Sequence, residues 1–140
     1  VLTVRDVPYV HPSEARSTYK QCSDIYLPVG ARKGKGAPLI VHFHGGGWQD
    51  GDRADEMFGA PAVGRSHAAA GCVVVAPSYR LGNYNSFMAD AVRAILYAVA
   101  NATALGADSS RLYLSGHSAG GNLAALCALG PWLAPPVLPA

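Results

Sequence analysis

The sequence predicts an α/β fold in which helices flank a mostly parallel sheet. Short apolar runs alternate with helical patterns along most of the 140 residues, and this alternation is typical of βαβ units. The run at residues 72–76 (C-V-V-V-A) is apolar throughout, as expected for a strand covered on both faces. Half of the residues are hydrophobic and only 14% are charged, which favours a globular core over a disordered chain.

The first half of the chain is expected to contain most of the strands. Residues 1–10 and 19–27 predict two short strands that pair antiparallel, and the Gly/Lys-rich residues 28–38 predict a loop. A compact strand is expected at 39–43. Residues 55–70 indicate a helix whose first half is weakened by Gly59, Pro61 and Gly64, and Gly71 fits the position just after its end.

The second half predicts two helices around one more strand. Ser86 is expected to cap a helix that Gly106 ends, and its apolar stripe consists of Phe87, Ala91, Ala94, Ile95, Ala98 and Val99. Residues 111–114 predict a strand. A last helix is expected from Ser118 to about Leu129, where Pro131 stops it. Strands and helices in this order predict parallel pairing with right-handed crossovers.

Composition limits the classes of partner and cofactor. The net charge of +2 is too small to indicate a nucleic-acid partner, and no apolar run is long enough to predict a transmembrane span. Cys22, Cys72 and Cys127 lack zinc or CxxC spacing, so reduced thiols are expected, which favours a cytoplasmic or organellar interior without fixing the compartment. His42 and His44 alternate along one strand, but no third ligand is suitably spaced, so neither a metal nor a cofactor is predicted.

Two glycine-rich motifs carry the chemistry. The first is His44-Gly45-Gly46-Gly47-Trp48, and the second, a G-x-S-x-G pattern, is Gly116-His117-Ser118-Ala119-Gly120. Each follows a predicted strand, and ligand chemistry in parallel sheets collects at the carboxyl ends of strands. The two motifs are therefore expected to form one site.

These residue types suit acyl transfer. A tight turn exposes Ser118 as a nucleophile, and Gly116 and Gly120 remove side chains that would clash there. The Ala119 N–H at the start of a helix and the N–H groups of the glycine loop can stabilise a developing oxyanion. The alternatives are that Ser118 only caps a helix at a glycine turn, and that the glycine loop is a flexible turn without an anion role.

From residue 24 to 129 the chain resembles the amino-terminal half of an α/β-hydrolase of the esterase/lipase group. That group includes hormone-sensitive-lipase-like carboxylesterases, kynurenine formamidases and isoprenylcysteine methylesterases. The resemblance rests on D-I-Y-L-P at 24–28, V-H-F-H-G-G-G-W at 41–48, A-P-S-Y-R-L at 76–81 and S-G-H-S-A-G-G at 115–121. His117, and Gly82-Asn83 after the Tyr-Arg-Leu, differ from the hormone-sensitive-lipase pattern. The Gly-His-Ser-Ala-Gly form and Trp48 after the glycines favour the formamidase and methylesterase branch.

The resemblance implies a role for each motif residue. It makes Ser118 the nucleophile and assigns oxyanion amides to Gly46, Gly47 and Ala119. His44 then shapes the loop rather than acting as the base, and Gly45, Trp48, Gly116, His117 and Gly120 support the two motifs. The implied substrate is a small-molecule ester or amide.

The acid and the histidine of the triad should follow the serine in this fold, but no Asp, Glu or His follows Ser118. Residues 1–140 are therefore expected to be the amino-terminal part of a single domain, without useful turnover by itself. His117 is not expected to replace the base. The alternatives are a non-catalytic small-molecule-binding protein on this scaffold and a truncated inactive product, and the oligomeric state stays open.

Four other residues are expected to act outside the chemical steps. Asp50 and Asp52 are expected to stabilise the loop after Trp48, and Arg80 is expected to form a structural ion pair or hydrogen bonds. Tyr84, like Trp48, either lines an acyl pocket or packs in the core.

Overall fold

The computed structural model describes residues 1–30 and 36–131, which form a five-stranded sheet in the order β1-β2-β4-β3-β5. The strands are β1 (Leu2–Pro8), β2 (Cys22–Leu27), β3 (Ala37–Phe43), β4 (Val73–Pro77) and β5 (Ala107–Gly116). β3 pairs in parallel with β4 and with β5, whereas β2 pairs antiparallel with β1 and β4. Of these described strands, β2 alone runs against the others, and the predicted α/β class is confirmed.

Three helices of the described residues cover the two faces of the sheet: α1 (Ala60–Ala69), α2 (Tyr84–Ala100) and α3 (Ala119–Leu129). On one face, α2 and α3 pack on a core that includes Leu39, Val41, Phe43, Ile95 and Leu123. On the other face, α1 packs on a smaller cluster that includes Tyr26, Ile40, Val74 and Ala68. The alternation of β3 between these clusters explains why its residues 39–41 are apolar on both faces.

Two predicted boundaries in the first half are wrong. β2 begins at Cys22 rather than at residue 19, because a turn precedes it in which the Gln21 N–H donates to the Ser17 carbonyl (3.2 Å). The predicted helix at 55–70 begins only at Ala60. Gly59, with a φ of +84°, ends a short 3₁₀ turn at Glu56–Phe58 and so separates it from α1.

The predicted caps of α2 are also wrong. Asn83, not Ser86, is the N-cap: its side-chain oxygen accepts from the Ser86 N–H at 3.1 Å, so Ser86 lies inside the first turn. The helix ends at Ala100 with Asn101 as its C-cap, rather than at Gly106. Gly106 has a φ of +76° in the turn that leads into β5.

The remaining expectations differ only at their ends. β5 is longer than the predicted residues 111–114, and β3 begins at Ala37, inside the predicted loop, of which residues 31–35 lie outside the described part. α3 begins at Ala119, one residue after Ser118. Gly71 follows the end of α1 with a φ of +97°, as predicted.

None of the helices in the described residues is long and apolar enough to cross a membrane. The thiols of Cys22, Cys72 and Cys127 are free, and those of Cys22 and Cys127 are buried.

Candidate active site

The two glycine motifs lie side by side because β3 and β5 are neighbours in the sheet. Phe43, the last residue of β3, pairs with Gly116, the last residue of β5. The His117 N–H then donates to the Phe43 carbonyl at 3.1 Å, so the pairing continues one residue beyond β5. The glycine loop and the serine turn therefore begin side by side, at the carboxyl ends of β3 and β5.

The serine turn is tight and its backbone is strained. Ser118 has a φ of 52° and a ψ of −117°, a conformation that residues other than glycine rarely adopt. Its side chain is exposed to solvent. A Cβ on Gly116 would lie 2.2 Å from the Gly120 backbone, and a Cβ on Gly120 would lie 2.2 Å from the Phe43 carbonyl oxygen. Only glycines let α3 begin directly against the ends of the two strands.

Ala119 is buried and is the first residue of α3. The first turn of a helix leaves its N–H groups without intrahelical partners and carries the positive end of the helix dipole. This end of α3 directly follows Ser118, so the local field at the serine favours negative charge.

The glycine loop also depends on unusual backbone angles. φ is 115° at Gly46, 60° at Gly47 and 59° at Trp48. The Gly46 carbonyl accepts from the N–H groups of Gln49 (3.1 Å) and Asp50 (3.0 Å), which closes the loop. A Cβ on Gly46 would lie 2.1 Å from the Asp50 carbonyl oxygen, whereas a Cβ on Gly47 would meet open space. Gly46 is thus required for closure, and Gly47 forms the exposed tip.

His44 packs beneath the glycine loop, on the side that faces the protein interior. Its buried ring stacks on Tyr79, with 4.2 Å between the ring centroids, and its Nδ1 lies 2.6 Å from the Gly45 carbonyl oxygen. The Tyr79 hydroxyl donates to the His44 carbonyl at 2.7 Å. These contacts hold both the ring and the backbone of His44 in place at the start of the loop.

Two other imidazoles lie near the serine turn, and both contact groups other than Ser118. His42 Nδ1 lies 2.9 Å from Ser115 Oγ. The exposed His117 lies over Gly45, where an added Cβ would come within 2.6 Å of His117 Nδ1. Within residues 1–30 and 36–131, no three His, Cys, Asp or Glu side chains form a cluster suited to a metal ion.

The carboxylates after Trp48 make local contacts. Asp50 accepts from the Gly51 N–H at 2.7 Å, and Asp52 accepts from the Ala54 N–H at 2.8 Å and from the Tyr19 hydroxyl at 3.0 Å. These bonds fit the expected loop-stabilising role.

Arg80 and the aromatic residues near the loop also pair within the fold. Arg80 forms an ion pair with the buried Asp90 (Nε–Oδ2 2.8 Å), as expected. Trp48 stacks on Phe87 with 6.0 Å between centroids, and Tyr84 meets the edge of Phe87 at 5.4 Å. Trp48 therefore packs on α2, while Tyr84 is half exposed beside it.

The loop that begins at His44 continues to Arg53, and its Arg53 end is held by residues that the sequence patterns do not predict. Arg53 and Asp24 are both almost fully buried and pair with each other, with Ser78 next to them. The available signal was Asp24 itself, a charged residue within a strand that is otherwise mostly apolar.

Acid is expected to destabilise the chain through two imidazoles. Burial lowers the pKa of both His42 and His44 from 6.5 to about 4. The unfolded chain therefore binds more protons than the folded chain between about pH 6.5 and 4, and stability is lost as pH falls through this window. His42→Gln should reduce the loss by on the order of 2–3 kcal/mol, measured by urea unfolding at several pH values.

His11→Gln is the control for that comparison, because His11 is exposed. Its unfolding free energy should follow the wild-type pH dependence. If His42→Gln followed the wild-type dependence too, a neutral buried His42 would be ruled out as a source of acid sensitivity.

The chain is similar to known proteins along most of its length. Residues 23–131 match the BD-FAE family model. The carboxylesterase NlhH of Mycobacterium tuberculosis is 40% identical over 109 residues, covering 74% of this chain and 32% of that protein. Kynurenine formamidase of Danio rerio is 33% identical over 134 residues, covering 93% of this chain and 40% of that protein.

Solved esterases share the fold. The propionate-bound Est2 esterase of Thermogutta terrifontis superposes with a TM-score of 0.72 at 32% identity, over 96% of this chain and 48% of that one. Esterase B of Lactobacillus rhamnosis gives a TM-score of 0.77 at 26% identity, over 91% of this chain and 39% of that one. The chain thus spans less than half the length of each of these four relatives.

Proposed function

Because the chain belongs to the BD-FAE family of α/β-hydrolases, we propose that it supplies the nucleophile and the anion-binding loop of a serine ester hydrolase. One observation carries the proposal: the pairing of Phe43 with Gly116 brings the glycine loop beside the turn that exposes Ser118. A capping serine alone would need neither the positive φ at Ser118 nor a second glycine motif next to it.

In the proposed reaction, the Ser118 hydroxyl oxygen attacks the carbonyl carbon of the substrate. The carbonyl π electrons move to its oxygen, which the N–H groups of Gly46, Gly47 and Ala119 stabilise. Collapse of this intermediate expels the alcohol with a proton and leaves an acyl ester on Ser118, which water then hydrolyses. Each oxyanion donor of this kind contributes roughly 3–4 kcal/mol of transition-state stabilisation.

The general base is assigned to no residue of this chain. In this fold the acid and the histidine follow the serine, and residues 119–140 contain no Asp, Glu or His. Among the described histidines, none has a hydrogen bond to Ser118 Oγ. The proposal therefore covers nucleophilic attack and oxyanion binding, with no useful turnover expected from the chain alone.

The proposed substrate class is a small ester or a related amide. The relatives include proteins named carboxylesterase and kynurenine formamidase, and both activities transfer an acyl group from oxygen or nitrogen to water. A shared nucleophile and oxyanion loop suit either leaving group.

Acylation by p-nitrophenyl butyrate tests the proposal without requiring turnover. The chain is incubated with the ester, quenched in acid and mapped by peptide mass spectrometry. We expect one butyryl group, on Ser118, and the same result in Ser110→Ala, which removes another exposed serine. Butyryl groups spread over several serines, or none on a folded chain, would contradict the proposal and favour a non-catalytic binding protein on this scaffold.

A further inference from the structure

Arg53 is a buried cation that lies outside both glycine motifs. Only 2% of its surface is exposed, and its Nε lies 3.2 Å from Oδ1 of Asp24, which is 1% exposed on β2. Burying two charges costs several kcal/mol per ion, so a pair of this kind is weak evidence for stability as such. The burial of the Arg53–Asp24 pair therefore needs an explanation other than stability.

The guanidinium of Arg53 joins parts of the chain that are distant in sequence. Nη1 donates to Ser78 Oγ (3.1 Å) and to the Tyr19 carbonyl (2.8 Å), and Nη2 pairs with Asp6. The Arg53 backbone N–H donates to the same Ser78 hydroxyl at 2.9 Å. Both the main chain and the side chain of Arg53 are therefore fixed to the sheet.

The segment after β4 holds the glycine loop at both ends. Ser78 binds Arg53 at the carboxyl end, while its neighbour Tyr79 donates to the His44 carbonyl at the amino end. In the middle of the loop, between His44 and Arg53, the Trp48 carbonyl accepts from the Gly82 N–H at 2.7 Å. The loop thus rests on this segment along its length.

Close packing links Arg53 to the loop amides. A Cβ on Gly51 would lie 2.7 Å from the Gly45 carbonyl oxygen and 2.9 Å from His44 Nδ1. The next contact is the hydrogen bond from the Asp50 N–H to the Gly46 carbonyl, at 3.0 Å. A shift at Arg53 would therefore reach the Gly46 peptide along the chain through Asp52, Gly51 and Asp50, of which Gly51 is buried against Gly45 and His44.

We propose that Arg53 is a positioning residue, whose buried pair with Asp24 and bonds to Ser78 fix the loop so that the Gly46 and Gly47 amides point at the oxyanion. This inference rests on the proposed oxyanion role of those amides. Arg53 touches neither substrate nor Ser118. It acts through the loop, and misplacement of a catalytic group by about 1 Å can cost roughly 100-fold in rate.

The test separates positioning from stability with a charge-matched double variant. Arg53→Met alone leaves Asp24 buried without its main partner and can fail to fold. Arg53→Met combined with Asp24→Asn removes both charges and keeps the acceptor for the Asp6 N–H, which lies 3.0 Å from Asp24 Oδ1. Arg53→Lys keeps the positive charge but loses the fork that reaches Ser78 and Tyr19.

Two readouts are taken on each folded variant. Hydrogen exchange of the peptide spanning residues 45–50 reports loop order without any reaction. Phosphonylation of Ser118 by a fluorophosphonate, followed against probe concentration, separates the maximal rate from the apparent affinity. For the double variant we expect faster exchange and a maximal rate reduced by about 10- to 100-fold, with little change in affinity. Arg53→Lys should recover part of the rate.

Arg65→Met is the matched control, since it removes an exposed ion pair with Glu56 (2.9 Å) and should change neither readout. Unchanged exchange at residues 45–50 in a folded double or Arg53→Lys variant would overturn the inference. So would faster exchange with an unchanged phosphonylation rate. If the wild type is not labelled at all, the proposed function fails, while the exchange experiment still decides whether Arg53 orders the loop.

Discussion

Gly120→Ala is expected to destabilise the folded chain by about 4 kcal/mol or more. The new Cβ would lie 2.2 Å from the Phe43 carbonyl oxygen and 2.5 Å from the His44 carbonyl oxygen. Both are backbone atoms at the end of a buried strand, so relief requires α3 or β3 to move. Urea unfolding measures the effect, and the loss should exceed that of ordinary core substitutions.

Gly121→Ala is the control in the same helical turn. Its Cβ would approach no backbone atom closer than 3.2 Å, at the Gly116 carbonyl oxygen. Alanine also favours a helix over glycine by about 1 kcal/mol. We expect a change of within about 1 kcal/mol for this variant. Equal losses at the two positions would mean that α3 does not begin against β3 as described.

Gly46→Ala is expected to lower the reactivity of Ser118 by about 100- to 1,000-fold, the effect of losing one oxyanion donor. Its φ of 115° suits glycine, and a Cβ there would lie 2.1 Å from the Asp50 carbonyl oxygen. The loop would have to open to accept it, which moves the Gly46 and Gly47 amides. The measurement is the rate of phosphonylation of Ser118, with the unfolding free energy measured alongside.

Gly47→Ala is the control for Gly46→Ala, because it adds backbone strain without preventing the loop from closing. Gly47 has a φ of 60° and open space around its Cβ position, so alanine costs about 1–2 kcal/mol of backbone strain and keeps the N–H donor. Most of the reactivity should remain. If both variants react like the wild type, the glycine loop has no part in stabilising the oxyanion.

The element types were predictable because their signals are local. The apolar run at 72–76 and the stripe that begins at Phe87 indicate β4 and α2 directly. The order β1-β2-β4-β3-β5 was not predictable, since it depends on which strands pair across long separations. The cap of α2 was missed because Asn83 and Ser86 are both favoured cap residues, three positions apart.

Within the site, the two motifs could be found from sequence because glycine and serine occur there at fixed local spacing. Their proximity followed from strand order, which the sequence supports only through the general rule for strand ends. The Arg53 anchor could not be found, because Asp24 and Ser78 lie 29 and 25 residues away and neither spacing forms a known pattern. The single charge of Asp24 within β2 does not indicate which residue pairs with it.

Fluorophosphonate labelling of the wild-type chain and of Ser118→Ala tests the central claim most directly, since the reaction with the probe uses an exposed serine and an oxyanion site but no turnover. We predict that the wild type carries one phosphonyl group, on the peptide containing Ser118, and that the variant carries none. Equal labelling of the two proteins, or no labelling of a soluble and folded wild type, would contradict the claim that the serine turn and the glycine loop form a working nucleophilic site.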